Sequence, residues 1–408
     1  MGPRQLLGAA DVSDERLAAM VAEQLGVDAV ELLDAEVTEV DYDLDALTTA
    51  GRYWVAGHAR HAGGTSPFRF FVKVVQTWGR SPLFAVVPEE HREMALASVP
   101  WRSEPEIYRS DLGDRLPPGL SMPRAFAVVD LDEESAAIWL EAVDVAPARW
   151  DPPRFAHAAR LLGRLAARAA IAPLGGLGMQ QIVRTYAFGR LGNQVVPALR
   201  DDGLWHHPLI AASFGDDLRA RLLAAAERLP AFLDELDALP LGVAHGDACT
   251  RNLLLAEGRP EEFVLIDFGF WCVAPLGFDL GQLLLGEVQM GERPAAELPD
   301  LEERCLPAFV EGLREEGSPA TETEVRRAHA LTMLLFAGLS ALPFEHLGTE
   351  VTPELVRVAR ERAAAAAFVL DLVDATSPSS GAGRVGLPTM RAAGTSPGVG
   401  VRQDQGRE

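Results

Sequence analysis

Lysine is almost absent from this sequence of 408 residues. Of the 37 basic residues, Lys73 is the single lysine and the other 36 are arginine. Lys73 lies within the apolar stretch 68–75, which predicts a strand buried on both faces, and a lysine there needs an anionic partner to offset its desolvation. The alternative is an edge lysine whose ammonium reaches the solvent. Because lysine offers a compact, rotatable ammonium where arginine offers a planar fork, we interpret Lys73 as a functional residue.

Cysteine is also scarce, and long apolar runs are missing. The three cysteines, Cys249, Cys272 and Cys305, do not have the spacing of metal ligands, and an odd number in a chain of this size does not predict a disulfide framework. No apolar stretch approaches the length of about 20 residues that a membrane-spanning helix needs. The first residues lack the apolar region of a signal peptide. We therefore expect a globular, cytoplasmic protein that does not interact with a membrane.

Basic residues are fewer than acidic ones, with 37 Lys and Arg against 59 Asp and Glu. The formal net charge is -22 at pH 7, which argues against nucleic acid or an anionic membrane as a partner, since both attract clustered Lys and Arg. The acidity is uneven: residues 201–375 carry 31 acidic and 13 basic side chains, residues 143–200 carry 2 and 8, and residues 1–142 carry 24 and 12. This distribution favours a cationic ligand near the 201–375 region, although a generally acidic surface would give a similar pattern.

Two short polar motifs stand close together in the second half of the chain. The first is His-Gly-Asp-x4-Asn at residues 245–252, and the second is Ile-Asp-Phe-Gly at residues 266–269, after an apolar run. Phosphoryl transfer to a hydroxyl needs one carboxylate that orients the hydroxyl and takes its proton, and two further oxygen ligands that hold magnesium. The spacing predicts Asp247 as the base, with Asn252 and Asp267 as metal ligands. The alternative is a hairpin whose Asp and Asn side chains merely cap turns.

This pair of motifs resembles that of the aminoglycoside phosphotransferase family, whose members are small-molecule kinases with a protein-kinase-like fold. The resemblance covers about residues 30–375 and is strongest at the motifs. It implies an α+β, bilobal fold, with a small β-rich N-lobe (residues 1–142) that binds the nucleotide and a larger, mainly helical C-lobe (residues 143–375). It also implies ATP and Mg²⁺ as cofactors. In this family His245 would fix the catalytic loop by hydrogen bonding, and Asp279 would brace the loop from below, although a helix N-cap would look much the same.

The resemblance also assigns the nucleotide-binding residues. Lys73 occupies the position of the strand lysine that grips the ATP phosphates, and Glu104 is the best candidate for the glutamate that sets it. Pro105 departs from the family pattern and is tolerable only in a first helical turn, so Glu93 remains a rival. The backbone of Glu141 and Val143 would bind adenine.

The segment expected to cover the phosphates, residues 47–52, has one glycine. The sequence therefore lacks the glycine-rich loop of protein kinases, and the position of the covering loop stays open.

Local patterns predict the remaining elements. The N-terminal part combines a leading helix with strands, at residues 13–25, 31–42, 52–60, 68–75, 124–129 and 136–143. The C-terminal part is predicted as helices at residues 154–171, 218–236, 299–315, 322–340 and 352–373. Residues 175–214 are predicted to be irregular, either as an insert that shapes the acceptor pocket or as an ordinary helical connection. The composition of residues 376–408 predicts a disordered tail.

These observations favour an ATP-dependent, magnesium-requiring phosphotransferase acting on a small hydroxylated molecule. The interval from Gly269 to Asp279 leaves no room for the activation segment on which protein kinases dock peptides, so a protein kinase is disfavoured. Possible acceptors are an aminoglycoside or another antibiotic, choline or ethanolamine, an amino acid, or a sugar. A kinase-like protein that binds a nucleotide without catalysis is the alternative from another class.

Overall fold

The N-terminal part of the chain is organised around a five-stranded antiparallel sheet. The computed structural model describes residues 4–41, 46–147 and 149–377. The strands of these residues are, in chain order, β1 (Glu31–Glu39), β2 (Thr49–His61), β3 (Gly64–Gln76), β4 (Leu120–Ser121), β5 (Ala125–Asp132), β6 (Ser135–Glu141), β7 (Leu241–Ala244), β8 (Leu253–Leu255), β9 (Phe263–Leu265) and β10 (Cys272–Pro275). The large sheet has the order β1-β2-β3-β6-β5.

Alternation along these strands divides the sheet into two buried faces. One face packs against the helix Asp14–Leu25, with Val55, Phe70 and Trp139 of the sheet in the same cluster as Leu17 of the helix. Alternate residues on the other face, among them Val75, Ile138 and Leu140, join the large core of the rest of the protein. The prediction that β3 is buried on both faces is confirmed.

Helices make up most of the remaining chain. They are α1 (Asp14–Leu25), α2 (Arg92–Ser98), α3 (Ser103–Arg109), α4 (Leu112–Arg115), α5 (Pro152–Ala167), α6 (Ile182–Tyr186), α7 (Val196–Arg200), α8 (Asp202–Trp205), α9 (Pro208–Ala211), α10 (Asp216–Glu227), α11 (Leu229–Asp237), α12 (Phe278–Gln289), α13 (Leu298–Glu315), α14 (Glu322–Met333) and α15 (Pro353–Ala375). The predicted fold class, α+β with a β-rich N-terminal part and a mainly helical C-terminal part, is confirmed.

Helices α5 and α13 cross in direct backbone contact. A Cβ added to Gly163 of α5 would lie 2.1 Å from the carbonyl oxygen of Phe309, and one added to Gly312 of α13 would lie 2.0 Å from that of Arg160. Arg160 also forms an ion pair with Glu315 beside this crossing. Because only glycine fits at both points, the two helices are held closer than side chains would allow.

Two small sheets contain the strands that precede the two predicted motifs. Strands β4, β9 and β8 form one of them, and β7 pairs with β10 in the other. The chain leaves β7 into residues 245–252 and leaves β9 into residues 266–271, so the hydrogen bonding of these short strands brings the two motifs side by side. Strand β4 pairs in parallel with β9, which attaches residues 120–121 to the part of the chain that carries the motifs.

Three predictions about the helices need correction. The helix predicted at 218–236 is two helices, α10 and α11, because Pro230 lies in the first turn of a new helix and the break falls at Arg228. Residues 175–214, predicted as irregular, form a series of short helical segments that includes the π-helical stretch Ala187–Val195. The helix predicted at 322–340 is α-helical only to Met333 and continues as the π-helical turn Leu334–Gly338.

Some sequence predictions concern residues beyond these elements. The tail predicted for residues 376–408 lies outside the described residues from position 378 onward, and the boundary between lobes at residue 142 stays a prediction. One helical stretch, Glu322–His346, is long and apolar enough to cross a membrane, but 78% of its apolar window is buried in the protein. Since a buried core helix passes the same test, this stretch is weak evidence for a membrane span.

Candidate active site

Lys73 lies between two carboxylates. Its Nζ atom is 2.6 Å from Oε2 of Glu104 and 2.8 Å from Oδ1 of Asp267. Glu104 belongs to α3, where Pro105 is accommodated because it falls in the first turn. Glu93, the rival partner in the sequence analysis, lies on α2 and is exposed. The structure therefore places Glu104, and not Glu93, against the single lysine.

Burial and charge act in opposite directions within this group. The side chains of Lys73 and Glu104 are 6% and 4% exposed, whereas that of Asp267 is 36% exposed. Burial disfavours the ammonium form of Lys73, but Asp267 and Glu104 together raise its pKa above the ordinary value. Burial raises the pKa of Glu104 even though Lys73 opposes this effect. For Asp267, burial is opposed by Lys73, which holds the pKa of this more exposed carboxyl below its ordinary value.

The loop that follows β7 is fixed from below by Asp279. This carboxylate is 3% exposed and accepts the backbone N–H groups of His245 at 2.8 Å and Gly246 at 2.9 Å. Burial raises the pKa of Asp279 to about 6, although both hydrogen bonds lower it. Asp279 is not the N-cap of α12, because that position is Gly277. Its contacts are those of a brace for the loop.

His245 ties the same loop to the second motif. Its Nε2–H donates to the carbonyl oxygen of Ile266 at 3.0 Å, and its Nδ1 accepts the backbone N–H of Asp247 at 3.3 Å. These two bonds require the neutral ring with the proton on Nε2. Burial lowers the pKa of His245 to about 4, so the ring stays neutral around pH 7.

Gly246 sets the turn between His245 and Asp247. Its φ angle is +87°, in the region that L-residues with side chains rarely adopt. A Cβ at this position would lie 1.9 Å from the carbonyl oxygen of Phe270. The loop therefore requires glycine for its backbone conformation and for its close approach to the second motif.

Asp247 and Asn252 face each other across the loop. The Nδ2 group of Asn252 donates to the Asp247 backbone oxygen at 2.8 Å and to its Oδ2 atom at 3.0 Å. Burial, with a contribution from the charge of Asp267, raises the pKa of Asp247 to about 6, while the hydrogen bond from Asn252 lowers it. A carboxylate with a pKa in this range can accept a proton more readily than an ordinary Asp can.

Asp267 adopts a left-handed backbone conformation, with φ 64° and ψ 67°. Such a conformation is uncommon for any residue but glycine, and Asp and Asn are among the residues that tolerate it best. The next residue, Phe268, is fully buried and packs edge-on against Tyr108 of α3 at 5.5 Å between ring centroids. The chain turns sharply at this point, and the Asp267 carboxylate lies against the ammonium of Lys73. Strand β10 begins at Cys272 and α12 at Phe278, so only a short connection follows the motif.

The residues proposed to bind adenine lie where β6 ends. The backbone N–H of Glu141 donates to the carbonyl oxygen of Arg124 at 2.8 Å, so any contribution of Glu141 to adenine binding would come from its carbonyl group. Its carboxylate turns back to accept the N–H of Arg124 at 3.2 Å. Just after Val143, the carbonyl oxygen of Asp144 accepts the N–H of Glu257 at 2.8 Å, and the N–H of Ala146 donates to the carbonyl oxygen of Leu255 at 2.8 Å.

Arg52 is a further cation near this group, and no motif in the sequence indicates it. It lies opposite Lys73 in the antiparallel pairing of β2 with β3, and it is among the charges that act on the carboxylates of Glu104 and Asp267. The only signal in the sequence was the alternation of faces along β2, which becomes informative once the pairing register is known.

The oxygen atoms at the site suit a magnesium ion with few protein ligands. Within the described residues, no group of three or more His, Cys, Asp or Glu side chains is arranged to hold a metal ion by itself. Because the Asn252 amide nitrogen is bonded to Asp247, its carbonyl oxygen is the atom that remains for a metal, alongside the Asp267 carboxylate. Mg²⁺ is usually bound by one or two carboxylates together with substrate phosphates, so the donor set fits this ion.

Comparison with known proteins identifies the class. The family model described as "Phosphotransferase enzyme family" (APH) matches residues 77–315, which is more than half of the chain. The protein belongs to this family, and the resemblance seen in the motifs is confirmed. No curated protein matches the chain by sequence.

Several solved structures resemble the chain distantly. An aminoglycoside phosphotransferase from Alicyclobacillus acidocaldarius is 16% identical, with 83% of this chain and 92% of that chain covered and a TM-score of 0.46. The enzyme APH(3'')-Id from Streptomyces rimosus is 17% identical, with 80% and 98% covered and a TM-score of 0.41. The amicoumacin kinase hAmiN is 14% identical, with 90% and 96% covered and a TM-score of 0.42.

Proposed function

We propose that the protein is an ATP-dependent phosphotransferase that phosphorylates a hydroxyl group of a small molecule. The observation that carries this proposal is the meeting of three separate chain segments: Lys73 from β3, Glu104 from α3 and Asp267 after β9. Membership of the phosphotransferase family supports the same conclusion. An ion pair with a purely structural role would not need to adjoin a loop that carries a third, half-buried carboxylate with a raised pKa.

Asp247 is the proposed base. It would orient the acceptor hydroxyl and accept its proton, and the pKa of about 6 leaves its carboxylate mostly ionised near neutral pH. His245 and Asp279 would act on this step indirectly, because they fix the backbone of residues 245–247. Catalysis would therefore depend on positioning and on charge stabilisation, as in other phosphoryl transfers.

Lys73 is the proposed ligand of the ATP phosphates, with Glu104 holding its ammonium in place. Asn252 and Asp267 would hold Mg²⁺, which neutralises phosphate charge when it is bound. Adenine would bind to the backbone at Glu141 and Val143. Because the proposed reaction consumes ATP, which is available in the cytoplasm, we propose that the protein is cytoplasmic.

The proposed acceptor is small and cationic. The connection from Asp267 to α12 is too short to dock a peptide. The excess of 31 acidic over 13 basic side chains in residues 201–375 favours attraction of a polyamine such as an aminoglycoside. Choline, ethanolamine, amino acids and sugars are the other acceptor classes to be compared with it.

The proposal is tested by measuring ATP consumption with members of each acceptor class, followed by mass spectrometry of the products. The wild-type protein should consume ATP with at least one class and add one phosphate group to it, whereas the variant Asp247→Asn should not. If the wild type binds ATP with Mg²⁺ but transfers phosphate to no acceptor, a non-catalytic nucleotide-binding protein becomes the better description.

A further inference from the structure

Arg52 and Lys73 project from the same face of the large sheet. They are directly paired across β2 and β3, and directly opposed residues of an antiparallel pair lie on one face. Val55 of β2 and Val72 of β3 belong to the cluster that packs against α1. Side chains alternate between the two faces of a strand, and Val55 is three residues from Arg52 while Val72 is next to Lys73. The two cations therefore point to the opposite face, where Glu104 and Asp267 contact Lys73.

Two carboxylates lie beside these cations. Lys73 is shared between Glu104 and Asp267. Arg52 is near enough to Glu104 and Asp267 for its charge to act on both carboxylates. A nucleotide brings several negative charges into this group, and a second cation beside Lys73 attracts them.

The strand pairing is irregular just before Arg52. The pairing of β2 with β3 is interrupted between Thr49 and Gly51, and an irregularity of this kind in a strand redirects the side chains beside it. The same segment carries a single glycine between residues 47 and 52, so it is not a glycine-rich phosphate-binding loop of the protein-kinase type.

We propose that Arg52 is a second phosphate-binding cation, which holds the nucleotide phosphates from β2 while Lys73 holds them from β3. This inference rests on the proposed function. An arginine suits the position because its planar fork can donate two parallel hydrogen bonds to one phosphate group. Arg52 thereby does with a side chain what a glycine-rich loop does with its backbone.

The test compares nucleotides that differ only in their phosphates. The affinities of adenosine, ADP and ATP, each with Mg²⁺, are measured by calorimetry for the wild type and for Arg52→Gln. Loss of a charge-assisted contact should weaken ADP and ATP binding by about tenfold to a hundredfold, with adenosine affinity within twofold of wild type. The matched control is Arg60→Gln: Arg60 lies on the same strand and pairs with Glu31 at 2.9 Å, about 26 Å from Arg52 at the rise of an extended strand. This control should bind all three ligands normally.

The outcomes separate this inference from the proposed function. A wild type that binds no nucleotide would overturn both. Normal ATP binding by Arg52→Gln, or an equal loss for adenosine and ATP, would overturn the role of Arg52 alone. If Arg52→Gln does not fold, Arg52→Lys provides the same comparison, since it keeps the charge and loses the fork. It should lose several-fold in ATP affinity and none in adenosine affinity, and unchanged ATP affinity would overturn the role.

Discussion

Replacement of Lys73 by methionine tests how the buried charges of the site are balanced. Lys73→Met keeps the length of the side chain and removes the ammonium that contacts Glu104 at 2.6 Å and Asp267 at 2.8 Å. Removing one partner of a buried ion pair typically lowers the free energy of unfolding by about 3–5 kcal/mol, because the other charge is left without compensation. Most of this loss should come from Glu104, whose side chain is 4% exposed, since water screens the 36% exposed Asp267.

The loss should depend on pH in a defined direction. The pKa of Glu104 is already raised in the folded protein by burial, and removal of Lys73 raises it further. A carboxyl group whose pKa is higher in the folded than in the unfolded state lowers the free energy of unfolding, and this effect is complete above the folded-state pKa. It fades as the pH falls toward the unfolded-state pKa, below which the group is protonated in both states. The deficit of Lys73→Met relative to wild type should therefore be largest at neutral and alkaline pH and should shrink on acidification.

Urea unfolding at several pH values, followed by tryptophan fluorescence, measures this deficit. The double variant Lys73→Met, Glu104→Gln should recover much of the lost stability, because it leaves no buried charge at that position. Lys73→Arg should fold normally but lose turnover, since a planar fork cannot replace a compact ammonium. Equal stability of Lys73→Met and wild type at pH 8, or no recovery in the double variant, would show that Lys73 and Glu104 are not a tightly coupled pair.

Three further predictions concern catalysis. Asp247→Asn should bind ATP with Mg²⁺ about as well as wild type in calorimetry yet transfer no phosphate, whereas Asp267→Asn should weaken metal-dependent nucleotide binding; the reverse pattern would mean that the two roles are exchanged. Because the pKa of Asp247 is raised to about 6 by burial and by Asp267, kcat/KM should fall as the pH drops through about 6, and a profile that stays flat down to pH 5 would contradict a basic role for this carboxylate. For a cationic acceptor at saturating ATP, KM should climb several-fold with added salt while kcat barely changes; a response that is flat in salt would remove the electrostatic argument for the acceptor.

The sequence predicted the site where local spacing determines geometry. Asp247 and Asn252 are joined by one loop, so their contact follows from the motif itself. The family resemblance favours Glu104 over Glu93 although Pro105 departs from the family pattern, and the structure accommodates this proline because α3 begins at Ser103 and Pro105 falls in its first turn. The buried position of Lys73 followed from the apolar residues around it.

Other features depend on pairing between distant segments, which local patterns do not encode. The parallel contact of β4 with β9 joins residues that are more than 140 positions apart, and neither strand is long enough to show a periodicity. The position of Arg52 opposite Lys73 depends on the register of β2 and β3. Pro230 indicates the break between α10 and α11, but the amphipathic pattern on both sides of this proline favoured a single helix.

The turn at Gly246 has a regulatory consequence. Since a Cβ there would meet the carbonyl oxygen of Phe270 at 1.9 Å, no arginine can occupy the position between His245 and Asp247. Protein kinases are often switched on when a phosphorylated side chain pairs with arginine and orders a mobile segment. At this point of the chain such a phosphate has no receptor, and Asp279 already holds the loop. Activation by the pairing of a phosphate with an arginine at position 246 is thus excluded.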